Sequence, residues 1–137
     1  MAVGMRGWLY GPWRGAGAGV EYVFENGFSV VGSLGWLLDT EEDRMPLAGH
    51  LGVRYHFLRG QGVHPWNSAY IGGAAAARIN LGDTGVNTEP GAYLSIGMVR
   101  VEHGIRMDAE VGYMMFFGED MKGKGGIAVG GTVGFGF

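Results

Sequence analysis

The sequence predicts an all-β protein, an eight-stranded antiparallel up-and-down transmembrane β-barrel, and three observations lead to that prediction. Apolar residues alternate with small or polar residues in eight segments, each long enough to cross a bilayer as a tilted strand. Glycine supplies 29 of the 137 residues, and no segment repeats apolar residues with a helical period. Charged residues lie in the middle of several segments and share one face.

The candidate strands are defined by the change of side-chain type at every second residue. In 105–117, for example, Arg106, Asp108 and Glu110 alternate with apolar residues. Two strands are less regular, because Trp8 falls on the polar face of the first and Arg100 on the apolar face of the sixth. A snorkelling side chain or a β-bulge would each explain Arg100. The predicted strands cover residues 2–10, 16–24, 28–38, 47–57, 69–79, 92–100, 105–117 and 127–137.

The connections alternate between two kinds, as expected for an outer-membrane barrel with short turns on one side and longer loops on the other. "ENG", "RGQGVHPWNS" and "EHG" fall on the side of the termini, and the middle one is longer than this rule predicts. "GPWRG", "DTEEDRMP", "LGDTGVNTEPG" and "GEDMKGKGG" fall on the opposite side. For the connection "ENG", the need to keep Phe24 and Phe28 on one face predicts a three-residue loop that pairs these two residues. Gly27 is then expected to adopt the left-handed conformation.

The polar face is predicted to point inward. A water-soluble barrel would have to enclose the bulky apolar face, which is too large for an eight-stranded interior. With the faces exchanged, small residues and ionic groups of balanced sign fill the interior, where opposite charges can pair. The predicted interior salt-bridge network consists of Arg6, Glu21, Arg54, Arg78, Arg106, Asp108 and Glu110.

The apolar face carries aromatic residues near the strand ends. Tyrosine and tryptophan favour the two membrane–water interfaces, so these side chains are predicted to form aromatic girdles. The predicted interface aromatics are Trp13, which lies in the first predicted loop, and Phe24, Phe28, Trp36, Tyr55, Phe57, Tyr113 and Phe117.

The chain resembles small outer-membrane barrels of the OmpA/OmpX-like class, and the resemblance covers its whole length. The resemblance rests on the eight strands, the loop asymmetry, the segment "GVRYHFL" followed by "HPWNSAYIGGA", and the ending "GGTVGFGF". Phe135 and Phe137 match the family's terminal aromatic pair, which the barrel-insertion machinery reads. Thr132, with Gly131 beside it, stands where the family usually has glycine. The resemblance implies a bacterial outer-membrane location, with a signal peptide presumed removed, and contact with outer-membrane lipid and lipopolysaccharide.

Composition and spacing argue against several other functions. A net charge of −3 without a basic run disfavours a nucleic-acid partner, and the absence of cysteine excludes thiol chemistry. His50 and His56 lie about 20 Å apart along one strand, too far to share a metal. The acidic loop lacks EF-hand spacing. We therefore expect no cofactor and no metal.

The function predicted for this single domain is a structural scaffold or surface-interaction protein with a plugged interior, possible protein contacts through its loops, and no general porin activity. The first alternative is a lipid-modifying enzyme similar to a lipid A deacylase. It would need a nucleophile, a base and an orienting group together at the lipid-facing rim, and the sequence shows no such set. A soluble lipocalin-like ligand carrier is the second alternative.

Overall fold

Eight antiparallel strands close into one barrel in the computed structural model, which describes residues 1–10, 13–39, 46–58, 67–82, 85–117 and 125–136. Each strand pairs with its neighbours in the chain, and β1 pairs with β8 to close the sheet. None of the described residues forms a helix that could cross a membrane. The strands are β1 Ala2–Tyr10, β2 Trp13–Val23, β3 Phe28–Asp39, β4 Leu47–Phe57, β5 Ser68–Gly82, β6 Gly85–Glu102, β7 Ile105–Phe116 and β8 Gly125–Gly136.

Most of the described residues in two predicted loops belong to strands instead. Within the predicted loop "GPWRG", the residues from Trp13 onward belong to β2, and residues 11–12 lie outside the described residues. The predicted loop "LGDTGVNTEPG" is also wrong, because β5 and β6 continue as a paired hairpin as far as Gly82 and Gly85. Pro90 is tolerated in this hairpin because its carbonyl faces β7 and accepts from the Phe117 amide, so its missing N–H affects only the end of that ladder.

The turn after β2 has the predicted three-residue form. The Phe24 amide donates to the Phe28 carbonyl at 2.8 Å, and Gly27 has a φ of 93°, in the left-handed region. The turn after β6 is tighter. His103 and Gly104 both have positive φ, at 51° and 79°, which fits the two-residue hairpin turn that follows the right-handed strand twist.

The strands are staggered around the barrel. Cross-strand partners can be followed around the barrel from Tyr10 on β1, through β8 and back to β2, where the path reaches Val23. In the β1–β2 ladder Glu21 pairs with Ala2, so Val23 lies two positions beyond the start of β1. One circuit of the barrel therefore ends ten residues away from Tyr10 along β1, which is the stagger of the barrel. Eight strands with this stagger tilt by about 40°, and the interior is just wide enough for side chains.

The apolar face points outward, as the sequence predicts. Trp36 and Tyr113 are 58% and 50% exposed, whereas Arg106 and Asp108 are 4% and 8% exposed. This arrangement is the opposite of what a water-soluble barrel requires, since exposed apolar side chains cover the wall from one end to the other. Surrounding lipid is the environment that this wall fits.

The predicted interface aromatics lie near both ends of this wall. Tyr22 contacts Phe24 and Phe28 contacts Tyr55, each with ring centroids 5.0 Å apart, at the end that carries the termini. Phe57 is only half-buried, and the side chain of Trp13 lies outside the described residues. The exposed members of the predicted set are Phe24, Phe28, Trp36, Tyr55, Tyr113 and Phe117.

Candidate functional site: the barrel interior

The interior of the barrel has an ionic cluster toward the end with the termini and an apolar cluster toward the opposite end. Side chains from alternate positions of the strands point inward, and the register brings the charged ones together near the end with the termini. All seven residues of the predicted network are buried, but they do not form one cluster. Six of them form the ionic cluster, namely Arg6, Glu21, Arg54, Arg106, Asp108 and Glu110.

Glu21 is one centre of the ionic cluster. Its Oε2 accepts from Arg54 Nη1 at 2.9 Å and from Arg106 Nη2. Its Oε1 accepts from the Ser29 hydroxyl and lies 3.0 Å from His56 Nε2. A carboxylate with four partners can remain charged in a buried site, because each lone pair lost from water is replaced.

Arg54 is the second centre. Besides Glu21, its Nη2 donates to Glu110 Oε2 at 2.9 Å, and its Nη1 lies 3.9 Å from Asp108 Oδ2. Its guanidinium also lies 4.2 Å from the ring centroid of Tyr70, and the Tyr70 hydroxyl donates to the same Glu110 oxygen at 2.9 Å. Arg54 thus joins carboxylates from opposite sides of the barrel.

The set Ser29, His56 and Glu21 contains the residue types of a hydrolase triad, but the geometry differs. In a triad the histidine uses one nitrogen for the serine and the other for the carboxylate. Here Ser29 and Glu21 both lie against His56 Nε2, while Nδ1 lies 2.9 Å from the Ser68 hydroxyl. Ser29 is also completely buried. The arrangement is suited to holding Glu21 in place.

Toward the end opposite the termini the interior is mainly apolar, which differs from the predicted polar interior. Leu37 and Phe116 are 2% and 1% exposed and close the interior toward the end opposite the termini. The sequence does contain a signal for this burial, because Leu37, Tyr93 and Phe116 each occupy an inward-facing position in the alternation of their strand. Trp8 packs against this cluster, in line with its position on the polar face of β1. The apolar cluster consists of Leu37, Ala48, Ala76, Tyr93, Phe116 and Ala128.

Arg78 lies apart from the ionic cluster. Its Nε is 3.6 Å from Oε2 of Glu89, and both side chains are buried at the apolar end of the barrel. Glu89 lies in the segment predicted as a loop, so the predicted network lacks this residue. With Glu89 included, the buried strand residues that the structure describes carry four arginines and four carboxylates, so the interior charge is balanced.

Two cavities flank Arg6. One lies on the terminal side and is bordered by Glu21, Arg106 and Asp108, and the other lies against Tyr93 and the apolar cluster. Arg6 borders both cavities, and its Nη2 forms an ion pair with Glu110 Oε1. Among the described residues, no group of three or more potential ligands could hold a metal ion.

Glycines make room for the bulky inward side chains. Gly97 is paired with Tyr70 across the β5–β6 ladder, and a Cβ at position 97 would lie 2.5 Å from the Tyr70 ring and 2.6 Å from the Ala109 carbonyl oxygen. A similar Gly–aromatic pair occurs at Gly91 and Phe116. The high glycine content therefore has a packing role in this narrow interior.

Replacing Gly97 by alanine is expected to lower the unfolding free energy by about 1–3 kcal/mol, because the new methyl group must displace Tyr70 or the backbone. The measurement is the urea midpoint in detergent micelles. Gly19→Ala is the matched control, since its Cβ would meet nothing nearer than 3.5 Å. Equal midpoints for the two variants would show that the glycines do not serve this packing.

The terminal aromatic signal is only partly described. Phe135 points outward, is exposed, and pairs with Val3 of β1 and Ile105 of β7 at the closing seam. Phe137 lies outside the described residues. The role of both residues in insertion stays a prediction.

A closed sheet with an apolar wall and a filled, charge-balanced interior defines the class of the protein as an eight-stranded transmembrane β-barrel. The N-terminal β-barrel domain of OprF from Pseudomonas aeruginosa, known from its crystal structure, has a similar fold, with a TM-score of 0.70 and 21% sequence identity over 99% of this chain and 97% of that chain. The predicted resemblance to the OmpA-like class is thus confirmed at the level of the fold. No family model and no curated protein matches the sequence.

Proposed function

We propose that this barrel lies in a bacterial outer membrane and acts as a structural scaffold whose loops contact lipopolysaccharide, the cell surface or another protein. The observation that carries this proposal is the filled interior. Paired charges lie toward the end with the termini, and the apolar cluster around Phe116 lies toward the opposite end. An interior of this kind supports the sheet from within and does not offer a wide aqueous path.

The placement of the connections supports an orientation. The termini lie at the same end as the tight turns at residues 25–27 and 103–104 and the longer connection at 58–67. The opposite end carries the connections at 40–46 and 117–124 and the far end of the long β5–β6 hairpin. Outer-membrane barrels keep short turns on the periplasmic side and longer loops outside, so the end with the two tight turns is assigned to the periplasm. The connections at 11–12, 40–46, 83–84 and 117–124 then face the outside and form the proposed contact surface.

Surface display can be tested with an epitope tag inserted within residues 118–124. Antibody binding to intact cells is the expected result, because this connection is assigned to the outside. The matched control places the same tag at residues 25–27, where binding should require permeabilised cells. The reverse pattern would contradict the proposed orientation.

The absence of general porin activity is also testable. Purified protein reconstituted into liposomes is expected to give no swelling in small sugars, because Phe116 and Leu37 close the interior toward one end and ion pairs fill it toward the other. A general porin in parallel vesicles provides the positive control. Sugar uptake at a comparable rate would contradict the scaffold proposal.

The enzyme alternative makes a different prediction. A lipid A deacylase would remove an acyl chain from lipopolysaccharide incubated with the purified barrel, which mass spectrometry detects. We expect the lipid A mass to stay unchanged, since Ser29 and His56 are buried within the barrel. Loss of an acyl chain would replace the scaffold proposal with the enzymatic one.

A further inference from the structure

Arg100 and Glu102 form a charged pair on the apolar outer wall of β6. Arg100 is 68% exposed and Glu102 48% exposed, and Arg100 Nη2 lies 3.0 Å from Glu102 Oε2. The β6–β7 register is continuous through both residues, so the β-bulge considered for this segment is wrong and Arg100 points outward. The neighbouring outward residues Met98 and Met107 are apolar. Elsewhere, the outward strand side chains that the structure describes are uncharged.

The turn at 103–104 sets the depth of the pair. Glu102 pairs with Ile105 across the β6–β7 ladder and adjoins this two-residue turn, at the end of the barrel that carries the termini. Arg100 lies two residues farther from that turn, about 7 Å by strand rise. A lipid-facing arginine costs about 2–4 kcal/mol at the bilayer midplane and about 0–1 kcal/mol near an interface. The low cost near an interface therefore favours a position of this pair at the membrane boundary on the side of the termini.

The order of the two charges is specific. Along β6, Arg100 is attached two residues farther from the turn than Glu102, so the arginine lies on the hydrocarbon side of the glutamate in the strand. In a phosphoethanolamine lipid the phosphate is attached to the glycerol and lies nearer to the hydrocarbon, while the primary ammonium extends beyond it. The two dipoles are therefore complementary when they lie side by side.

We infer that Arg100 and Glu102 form a binding site for the phosphoethanolamine headgroup of a phospholipid in the periplasmic leaflet. The phosphate accepts hydrogen bonds from those guanidinium N–H groups of Arg100 that do not face Glu102, and the ammonium donates to the Glu102 carboxylate. A choline headgroup has no N–H to donate, and a glycerol headgroup has no cation. The inference rests on the proposed membrane orientation.

The test measures which lipid the barrel retains. Purified protein is incubated in detergent with equimolar phosphatidylethanolamine, phosphatidylcholine and phosphatidylglycerol of identical acyl chains, and retained lipid is quantified by native mass spectrometry. Wild type is expected to retain phosphatidylethanolamine over phosphatidylcholine by about threefold, which corresponds to an exposed ion pair. Arg100→Gln is expected to lose this retained lipid.

Glu102→Gln separates the two halves of the site. It is expected to lose the preference for phosphatidylethanolamine over phosphatidylcholine and to retain more phosphatidylglycerol, because the carboxylate no longer repels that anionic lipid. Glu25→Gln, which removes a carboxylate from a turn at the same end, is the matched control and is expected to keep the wild-type pattern.

Equal retention of the three lipids by wild type, or an unchanged pattern in Glu102→Gln, would overturn the inference. Heat-dependent gel migration of the same samples distinguishes this failure from failure of the proposed function. A barrel that folds normally but shows no lipid preference contradicts only the headgroup site. A chain that does not form a heat-modifiable barrel contradicts the membrane proposal itself.

Discussion

Arg54→Ala is expected to lower the unfolding free energy of the barrel by about 3–5 kcal/mol, one of the two largest effects we predict. Arg54 bonds to Glu21 and Glu110 and lies over the Tyr70 ring. Its removal leaves two buried carboxylates short of a partner, and an uncompensated buried charge is far more costly than an intact pair is favourable. The measurement is urea unfolding in phospholipid vesicles, followed by the heat-modifiable gel shift.

Arg106→Ala provides an internal comparison. Arg106 also bonds to Glu21, but Glu21 keeps Arg54, His56 and Ser29, so we expect a smaller loss of about 1.5–3 kcal/mol. Arg100→Ala removes an outward arginine and is expected to change stability by less than about 1 kcal/mol. Three equal unfolding midpoints would show that the buried charges do not hold the interior together.

Phe116→Ala is expected to lower the unfolding free energy by about 3–5 kcal/mol, through a different mechanism. Phe116 is almost completely buried in the apolar cluster, over Gly91, so its truncation leaves a cavity in a closed interior that cannot easily collapse. The measurement is again the urea midpoint in vesicles.

The neighbouring Phe117 is the matched control for this variant. It is exposed on the outer wall, so Phe117→Ala creates no internal cavity and is expected to lose about 1 kcal/mol or less. If the two adjacent phenylalanines gave equal losses, the apolar cluster would not contribute to stability as we propose.

The fold could be predicted from the sequence because a closed barrel has a simple rule. Every second side chain faces lipid, and segments such as the one from Ile105 to Phe117 show this alternation of apolar and polar residues in the sequence. The same rule assigned Trp8 to the interior. The three-residue turn ending at Gly27 followed from keeping Phe24 and Phe28 on one face.

The pairing inside the barrel could not be predicted, because it depends on the stagger between strands that are distant in sequence. Alternation places Glu21 and His56 in the interior, but only the register of β2, β3 and β4 brings them within 3.0 Å. The contact of Arg54 with Glu110 likewise spans the lumen. A sequence pattern gives the face of a residue but not its height in the barrel.

Glu89 and the apolar cluster were missed for local reasons. "NTEPG" contains residue types typical of turns, and the hairpin that includes it is stabilised by pairing along the length of β5, which propensity does not reveal. Leu37 and Phe116 each lie beside a residue of the apolar face, within runs of consecutive apolar residues. In such a run the sequence does not distinguish inward from outward positions by residue type. The sequence therefore predicted a mostly polar interior where the structure has an apolar cluster toward one end.

The orientation of the two faces is the central claim, and fluorescence quenching by brominated lipid acyl chains tests it most directly. Two variants are compared, each with a single tryptophan and the other three changed to phenylalanine. One keeps Trp36, which is exposed on the wall, and the other keeps Trp8, which packs against the apolar cluster inside. Strong quenching of Trp36 and weak quenching of Trp8 is the predicted result. Stronger quenching of Trp8 than of Trp36 would contradict the account.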